Sequence, residues 1–257
     1  MILDELVNST IERYKDKKDN LDYIKNLALN RKQKMVSFYD AINKKGMTFI
    51  CEIKKASPSK GIISEDFPYL DIAKEYNKIA DVISVLTEPT RVLGSDTYLS
   101  NVKELVDIPV LRKDFIIYPY QIYEAKAIGA DAVLLIVAIL TKEQIKEYLE
   151  LAHSLNLGCL VEAHDENEVK IAIEAGAKVI GVNNRNLKDF TIDMKNSINL
   201  RNLAPKSIKF VSESGIKKRE DIKVLEQNDV DAVLIGETLM RSNDRIKMIK
   251  ELKYDKN

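Results

Sequence analysis

The stretch DAVLLIVAILTKEQIKEYLELAHSLNLGCLVEAHDENEVKIAIEAGAKVIGVNN, residues 131–184, holds three short runs rich in aliphatic residues, separated by two segments of helical character. The runs are AVLLIV (132–137), GCLVEA (158–163) and VIGVNN (179–184). Runs that are apolar on both faces suit parallel strands covered by helices. The intervening segments carry helix starts: Thr141 with Gln144, and Asp165 with Glu168, each have the spacing of a capping box. Gly176-Ala177-Lys178 reads as a return from helix to strand, with glycine just past the helix end. Strand, helix, strand, helix, strand is the pattern of a parallel sheet.

Working outward, the alternation continues in both directions at intervals of about 20–35 residues. TFICEIK (48–54), VISVLT (82–87) and PVLRKD (109–114) precede it, and IKFVSE (208–213) and AVLIGE (232–237) follow. Pro119 suits a first helical position, and Gly129-Ala130-Asp131 repeats the helix-to-strand return. Eight such units with no Pro/Gly/Ser-rich linker predict one closed (β/α)8 barrel over residues 1–257. An open doubly wound sheet has the same spacing and stays the alternative at this level. The residues before the first strand read as helices over roughly 2–17 and 20–34 and a short third around Phe38–Lys45. They form an N-terminal helical extension, 1–45, expected to pack across an end of the barrel.

Apolar residues make up 45% of the 257, enough for a substantial core. Forty basic residues balance forty acidic ones, which removes the broad positive field on which nucleic-acid binding relies and leaves room for a local anion pocket. Cys51 and Cys159 lie in apolar runs without metal-ligand spacing and read as reduced core residues, so no metal site is expected. The charged N-terminus lacks the apolar core of a signal peptide, and no apolar run approaches membrane-spanning length. The expectation is a cytoplasmic protein with no membrane partner.

In a closed parallel barrel, side chains two apart share a face and functional groups gather at the C-terminal strand ends. Glu52 and Lys54 then share a face on the first strand, Lys113 follows Leu111 on the third, Glu162 follows Leu160 on the fifth, and Asn183 follows Gly181 on the sixth. Converging two carboxylates and two ammonium groups costs several kcal/mol per unpaired ion, so it implies mutual pairing or a task. A salt-bridged plug is the purely structural reading of the same residues. Ser214-Gly215 and Gly236-Glu237, after the seventh and eighth strands, have the small residues that let backbone N–H groups approach an anion. The loop KKASPSKGIISEDF (54–67) combines hydroxyls and positive charge on a segment long enough to act as a flap. His153 and His164 have no third partner at triad or metal spacing and receive no catalytic role, and KKRED (217–221) reads as a solvated helix start.

Six motifs in order, EIKKASPSKG (52–61), LRKDFI (111–116), LVEAHDENE (160–168), GVNNRNL (181–187), SESGI (212–216) and LIGETLM (234–240), resemble those of the indole-3-glycerol-phosphate synthase family. The resemblance implies a ribulose-phosphate-binding (β/α)8 barrel. It also implies ring closure, decarboxylation and dehydration of 1-(2-carboxyphenylamino)-1-deoxy-D-ribulose 5-phosphate, with neither metal nor cofactor. Carried over residue by residue, it assigns functional positions to Glu52, Lys54, Ser57, Lys113, Glu162, Asn183, Arg185, Glu213, Ser214, Gly215 and Gly236. It places the ring against Phe115, Leu134, Leu187 and Ile235, and the phosphate on Ser214, Gly215, Gly236 and the backbone of Glu237. Lys113 is expected as acid at ring closure, Glu162 and Lys54 divide base and acid roles in dehydration, and Glu52 and Asn183 orient them. Lys54 or Arg185 meets the substrate carboxylate. The resemblance leaves open a monomer and transient association with other enzymes of tryptophan biosynthesis. One departure is Arg91-Val92, where the family usually has an aromatic pair; Arg91 is expected to face water, with contact to the substrate carboxylate as the alternative. Competing readings are another phosphate-sugar barrel, such as a phosphoribosylanthranilate isomerase or an aldolase using Lys113 as nucleophile, and a non-catalytic barrel that binds a phosphorylated metabolite.

Overall fold

Successive βα units build a closed ring of eight parallel strands in a computed structural model that describes residues 2–32, 35–186 and 189–255. The strands are β1 Thr48–Ile53, β2 Val82–Leu86, β3 Val110–Lys113, β4 Ala132–Ile136, β5 Gly158–Ala163, β6 Val179–Asn183, β7 Lys209–Glu213 and β8 Ala232–Ile235. Each pairs with its sequence neighbours, and β1 pairs with both β2 and β8, which selects the closed barrel over the open sheet. Five of the eight expected runs are trimmed by one residue and two by two, because ladder pairing stops where each strand turns into its loop; Gly158–Ala163 keeps its expected bounds.

Strand alternation divides the core into two layers. Ile50, Val82, Leu111, Leu134, Leu160, Val179, Val211 and Leu234 fill the barrel, while Phe49, Cys51, Ile83, Val133 and Ile180 pack outward under the helices. Cys51 and Cys159 are free thiols in this outer layer; burial pushes both up, Cys159 to about 12, so they stay protonated.

The helices that follow the strands are α4 Tyr69–Asn77, α5 Asp96–Leu105, α6 Pro119–Ile128, α7 Lys142–Ser154, α8 Glu166–Glu174, α9 Lys195–Arg201, α10 Arg219–Gln227, α11 Glu237–Met240 and α12 Arg245–Lys253, and the starts read from sequence follow the expected chemistry with one change. Helix α7 (Lys142–Ser154) has the Thr141/Gln144 box, and Pro119 opens α6 (Pro119–Ile128). In α8 (Glu166–Glu174), Asp165 caps the N–H of Glu168 at 2.9 Å. The Glu168 carboxylate, however, reaches one residue further back than a capping box requires, to the N–H of His164 at 2.8 Å. Gly129 and Gly176 end α6 and α8 in the left-handed region, at φ 98° and 93°.

The N-terminal helices do not share one end of the barrel. Helix α1 (Ile2–Tyr14) lies over the C-terminal mouth, with Ile2, Leu3 and Leu6 lining the cavity there. Helix α2 (Leu21–Asn30) packs along α6. Helix α3 (Phe38–Ile42) closes the opposite end: Phe38, Ala41 and Ile42 join the barrel interior, and Phe38 lies so close over Gly158 that a Cβ there would come within 2.7 Å of its ring. All three helices are shorter than expected, and residues 33 and 34 of the expected second one lie outside the described residues.

Burying an arginine anchors α1. Arg112, fully buried on the outward face of β3, reaches Asp96 (2.8 Å), Glu124 (2.8 Å), Asp114 (3.2 Å) and the Tyr14 hydroxyl (3.1 Å). Burial pulls its pKa down, but these acidic neighbours more than restore it. Arg13 adds a fork onto Asp114 at 2.8 and 2.9 Å. Among the described residues no helix is long and apolar enough to cross a membrane.

Two truncating changes should separate the roles of the ends. Phe38→Ala is expected to lose about 3–5 kcal/mol of stability by urea unfolding, as large buried side chains do. A chain beginning at Asn8 keeps Arg13 and Tyr14, so its unfolding midpoint should move little while KM rises; an unchanged KM would show that α1 does not roof the site.

Candidate active site

A cavity of about 550 Å³ opens at the C-terminal mouth. Of the sixteen positions expected from sequence, Glu52, Lys54, Ser57, Lys113, Phe115, Leu134, Glu162, Asn183, Arg185, Glu213, Ser214, Gly215, Ile235, Gly236 and Glu237 line it. Leu187 lies outside the described residues.

Strand register brings the charged groups to one level. Lys113 pairs in register with Leu86, Glu162 with Gly181 and Ile136, and Asn183 with Glu213. Lys113 Nζ then lies 2.7 Å from Glu213 Oε2 and 3.1 Å from Glu162 Oε2. Beside it, Lys54 Nζ meets Glu52 Oε1 at 2.5 Å. Two glycines make the room: a Cβ at Gly181 would come within 2.3 Å of Glu213 Oε1, and one at Gly236 within 2.3 Å of Glu52 Oε1. Gly236 therefore clears space for an ion pair, a reason beyond turn geometry.

These contacts set the protonation states. Burial lowers the Lys113 pKa, but Glu213, Glu162 and Glu52 outweigh it and hold the ammonium charged. Glu162 is pushed up by burial and brought well below the ordinary carboxylate range by Lys113 and His164. Glu213 is pushed up by burial, pulled back by Lys113 and pushed up again by Glu162 and Glu52, to about 7. Its Oε1 is buried and has no hydrogen-bond partner among the described residues.

Asn183 connects the charged cluster to the next loops. Its Nδ2 donates to Glu162 Oε1 at 3.3 Å, and its Oδ1 accepts from the Ser214 hydroxyl (3.0 Å) and the Arg185 N–H (3.1 Å). Ser214 and Gly215 both take positive φ, 69° and 92°. For serine this conformation is strained, and it is held by the contact to Asn183 and by Asn184 Nδ2 donating to the Ser214 carbonyl at 3.1 Å. Opposite, Gly236 leads into the four-residue α11 (Glu237–Met240), whose start has no side-chain cap. The Glu237 carboxylate is offset by Arg241 at 3.1 Å and Arg185 at 3.8 Å.

The apolar wall departs from expectation in one place. Ile235 borders the cavity but clusters with the outer layer; Leu234 and Ile136 are the inward residues that join Leu134 and Phe115. Arg91 faces water as expected, pairing at the surface with the equally exposed Glu5 of α1, and does not line the cavity. Val92 is buried and lines the cavity. The first loop forms a small hairpin, Ala56–Ser57 with Gly61–Ile62, and the sixth folds back through the Arg185–Ile192 bridge.

His164 is the group that sequence reading left out. Its Nε2 lies 3.3 Å from Glu162 Oε1 and its Nδ1 3.0 Å from Glu168 Oε2. Burial lowers its pKa, but the two carboxylates raise it to about 10. The signal was partly present: His164 stands two residues beyond Glu162, one past the end of β5, and four before Glu168.

The raised Glu213 carboxyl binds its proton more tightly in the folded than in the unfolded chain. Its contribution to stability is therefore complete below the ordinary value of 4.5 and lost as pH rises through about 7. Unfolding measured at pH 4.5 and pH 8 should show the wild type losing stability relative to Glu213→Gln across that window; parallel curves would contradict the assignment.

The chain matches the sequence model of one family, described as indole-3-glycerol phosphate synthase, over residues 3–252. It is 58% identical over 248 residues to the indole-3-glycerol phosphate synthase of Ruminiclostridium cellulolyticum, covering 95% of each chain. It is 54% identical over 257 residues to that of Endomicrobium trichonymphae, covering 98% of this chain and 100% of the relative. Among solved structures, 3-hexulose-6-phosphate synthase from Salmonella typhimurium superimposes with a TM-score of 0.66 at 16% identity, over 80% of this chain and 97% of that one. A tryptophan synthase complex of Pyrococcus furiosus has a matching chain at 0.59 and 16%, with coverage of 80% and 97%. At such identities the structural likeness concerns the fold alone.

Proposed function

The chain belongs to the indole-3-glycerol phosphate synthase family, and from that premise we propose a division of labour among the residues around Lys113. The protein is a carboxy-lyase of tryptophan biosynthesis acting on a small phosphorylated substrate. It converts 1-(2-carboxyphenylamino)-1-deoxy-D-ribulose 5-phosphate to indole-3-glycerol phosphate, closing the ring with loss of carbon dioxide and water.

The phosphate anchors on Ser214, Gly215, Gly236 and the backbone of Glu237, where the uncapped start of α11 supplies N–H groups. The aromatic ring enters the slot of Phe115 and Leu134, with Ile136, Leu234 and Val92 completing the wall. Arg185 meets the substrate carboxylate more readily than Lys54, because Lys54 is already held at 2.5 Å by Glu52 while the ion pair of Arg185 among the described residues is a 3.8 Å contact to Glu237.

Ring closure requires the aromatic carbon to attack the ribulose ketone, and a positioned acid to protonate the developing alkoxide. Lys113 takes this role, since three carboxylates keep it in the ammonium form and an alkoxide is the stronger base. The same surroundings disfavour an aldolase-type nucleophile, which must be a neutral amine. After carbon dioxide leaves, expulsion of the hydroxyl needs an acid and rearomatisation needs a base. Lys54 is the acid, oriented by Glu52; Glu162 is the base, ionised and oriented by Asn183. Glu213 holds Lys113 through one oxygen and offers the other to a substrate hydroxyl. The arrangement that carries this reading is the Lys113 ammonium held between Glu162 and Glu213 beside the Lys54–Glu52 pair. In this reading residues 1–257 act as one barrel in the cytoplasm, with any association with other tryptophan-pathway enzymes transient.

An ultraviolet assay of indole formation tests the assignment. Lys113→Ala and Glu162→Gln, both folded, should lose about 10²–10⁴-fold in the chemical step under single turnover. Chemistry at an undiminished rate in either variant removes that residue from its role, and borohydride trapping of substrate on Lys113 would point to Schiff-base chemistry.

A further inference from the structure

His164 and Glu168 lie outside the roles assigned above, yet they touch the base. The His164 ring is absent from the cavity lining, whereas Glu162 forms part of it, so the imidazole stands behind the carboxylate that faces the substrate. Nδ1 hydrogen-bonds Glu168 at 3.0 Å, while Nε2 lies at ion-pair distance from Glu162, 3.3 Å, without hydrogen-bond alignment, so the contact to the base is one of charge: a carboxylate on each side of the ring favours the imidazolium. The backbone fixes this geometry: Glu168 Oε2 also accepts the His164 N–H at 2.8 Å, and Asn196 Nδ2 donates to the His164 carbonyl at 3.0 Å. Glu168 therefore gives up the usual capping-box contact and braces the histidine.

The charge balance of the site explains the need. Glu52, Glu162 and Glu213 place three carboxylates around two ammonium groups, Lys54 and Lys113. Lys113 is closer to Glu213 than to Glu162, 2.7 against 3.1 Å, so Glu162 has the weaker share of that cation. A cation at its other oxygen keeps it ionised. Glu162 is faced by Lys113 from β3, His164 beyond the end of its own strand, Asn183 from β6 and, across Lys113, Glu213 from β7 and Glu52 from β1. His164 is faced by Glu162, by Glu168 from α8 and by the neutral Asn196.

We propose that His164, braced by Glu168, is a positioning residue that sets a cation against the far oxygen of Glu162 and holds it ionised and oriented as the base. The inference rests on the base role of Glu162. It agrees with the direction of both titrations, His164 raised to about 10 and Glu162 held below the ordinary range.

The test is the pH profile of kcat for the full chain at saturating substrate, which reports groups in the bound complex. Without the imidazolium, Glu162 takes up its proton at higher pH, so the acidic limb of His164→Gln should move up by about one pH unit. That corresponds to about tenfold lower kcat on the limb, with recovery towards wild type at higher pH and little change in KM. Glu168→Gln should shift the limb in the same direction by less, and serves alone if His164→Gln does not fold. A loss that is equal at every pH, or a limb that does not move in the folded variants, overturns the proposal. Glu162→Gln separates the two levels: if it reacts at the wild-type rate, the base assignment itself is wrong. If it is inactive while the His164→Gln limb stays in place, only the role of His164 falls.

Discussion

An ammonium group buried at the mouth of the barrel and shared by two glutamates is the contact on which the site depends. Lys113 could not be held there uncompensated, since an unpaired buried ion costs several kcal/mol. Glu162 and Glu213 supply the compensation from β5 and β7, so three strands must agree in register before the cluster exists. Gly181 and Gly236 follow from the same requirement, because a methyl group at either position would occupy the space of a carboxylate oxygen. Compensation is also uneven: Glu162 is driven to the charged form and Glu213 is left near neutrality, which separates two chemically identical groups into a base and a proton-sharing partner.

Strand β3 carries a second cation one residue before the first. Alternation sends Arg112 outward and Lys113 inward, so adjacent residues serve different layers of the protein. Arg112 collects Asp96, Asp114, Glu124 and Tyr14, and through Tyr14 and Arg13 it ties α1 to the strand that bears Lys113. Helix α1 in turn lays Ile2, Leu3 and Leu6 over the cavity. The apolar roof is thus anchored to the same strand as the acid, which fits a reaction that needs a dry site and a fixed proton donor. Val92 lines the wall of the same cavity, and Arg91 meets Glu5 of α1 at its outer surface.

Much of this was legible in the chain before folding. The eight βα units followed from eight aliphatic runs, two capping patterns and the Gly129 and Gly176 returns, because strand and helix periodicities are local properties; the family resemblance implied their closure into a barrel, and the β1–β8 pairing shows it. Inward placement of Glu52, Lys54, Lys113, Glu162 and Asn183 followed from counting by two along each strand. The same counting, carried one step past β5, reaches His164, but a residue beyond the last ladder pair has no guaranteed direction. Glu168 looked like half of a capping box, and only the folded loop shows that its carboxylate turns back to the histidine.

What the sequence determined by itself was the architecture, the family and the set of ionisable groups at the barrel mouth, since each depends on residue identity and short-range spacing. Tertiary structure alone decided that α1 and α3 close opposite ends, that Leu234 rather than Ile235 is the inward residue of β8, that Arg91 pairs with Glu5, and which carboxylate shares which cation. These depend on distances between segments far apart in the chain, where a shift of an ångström changes which charges meet, and the Coulomb energy of a buried pair is steep enough for that to set the protonation state.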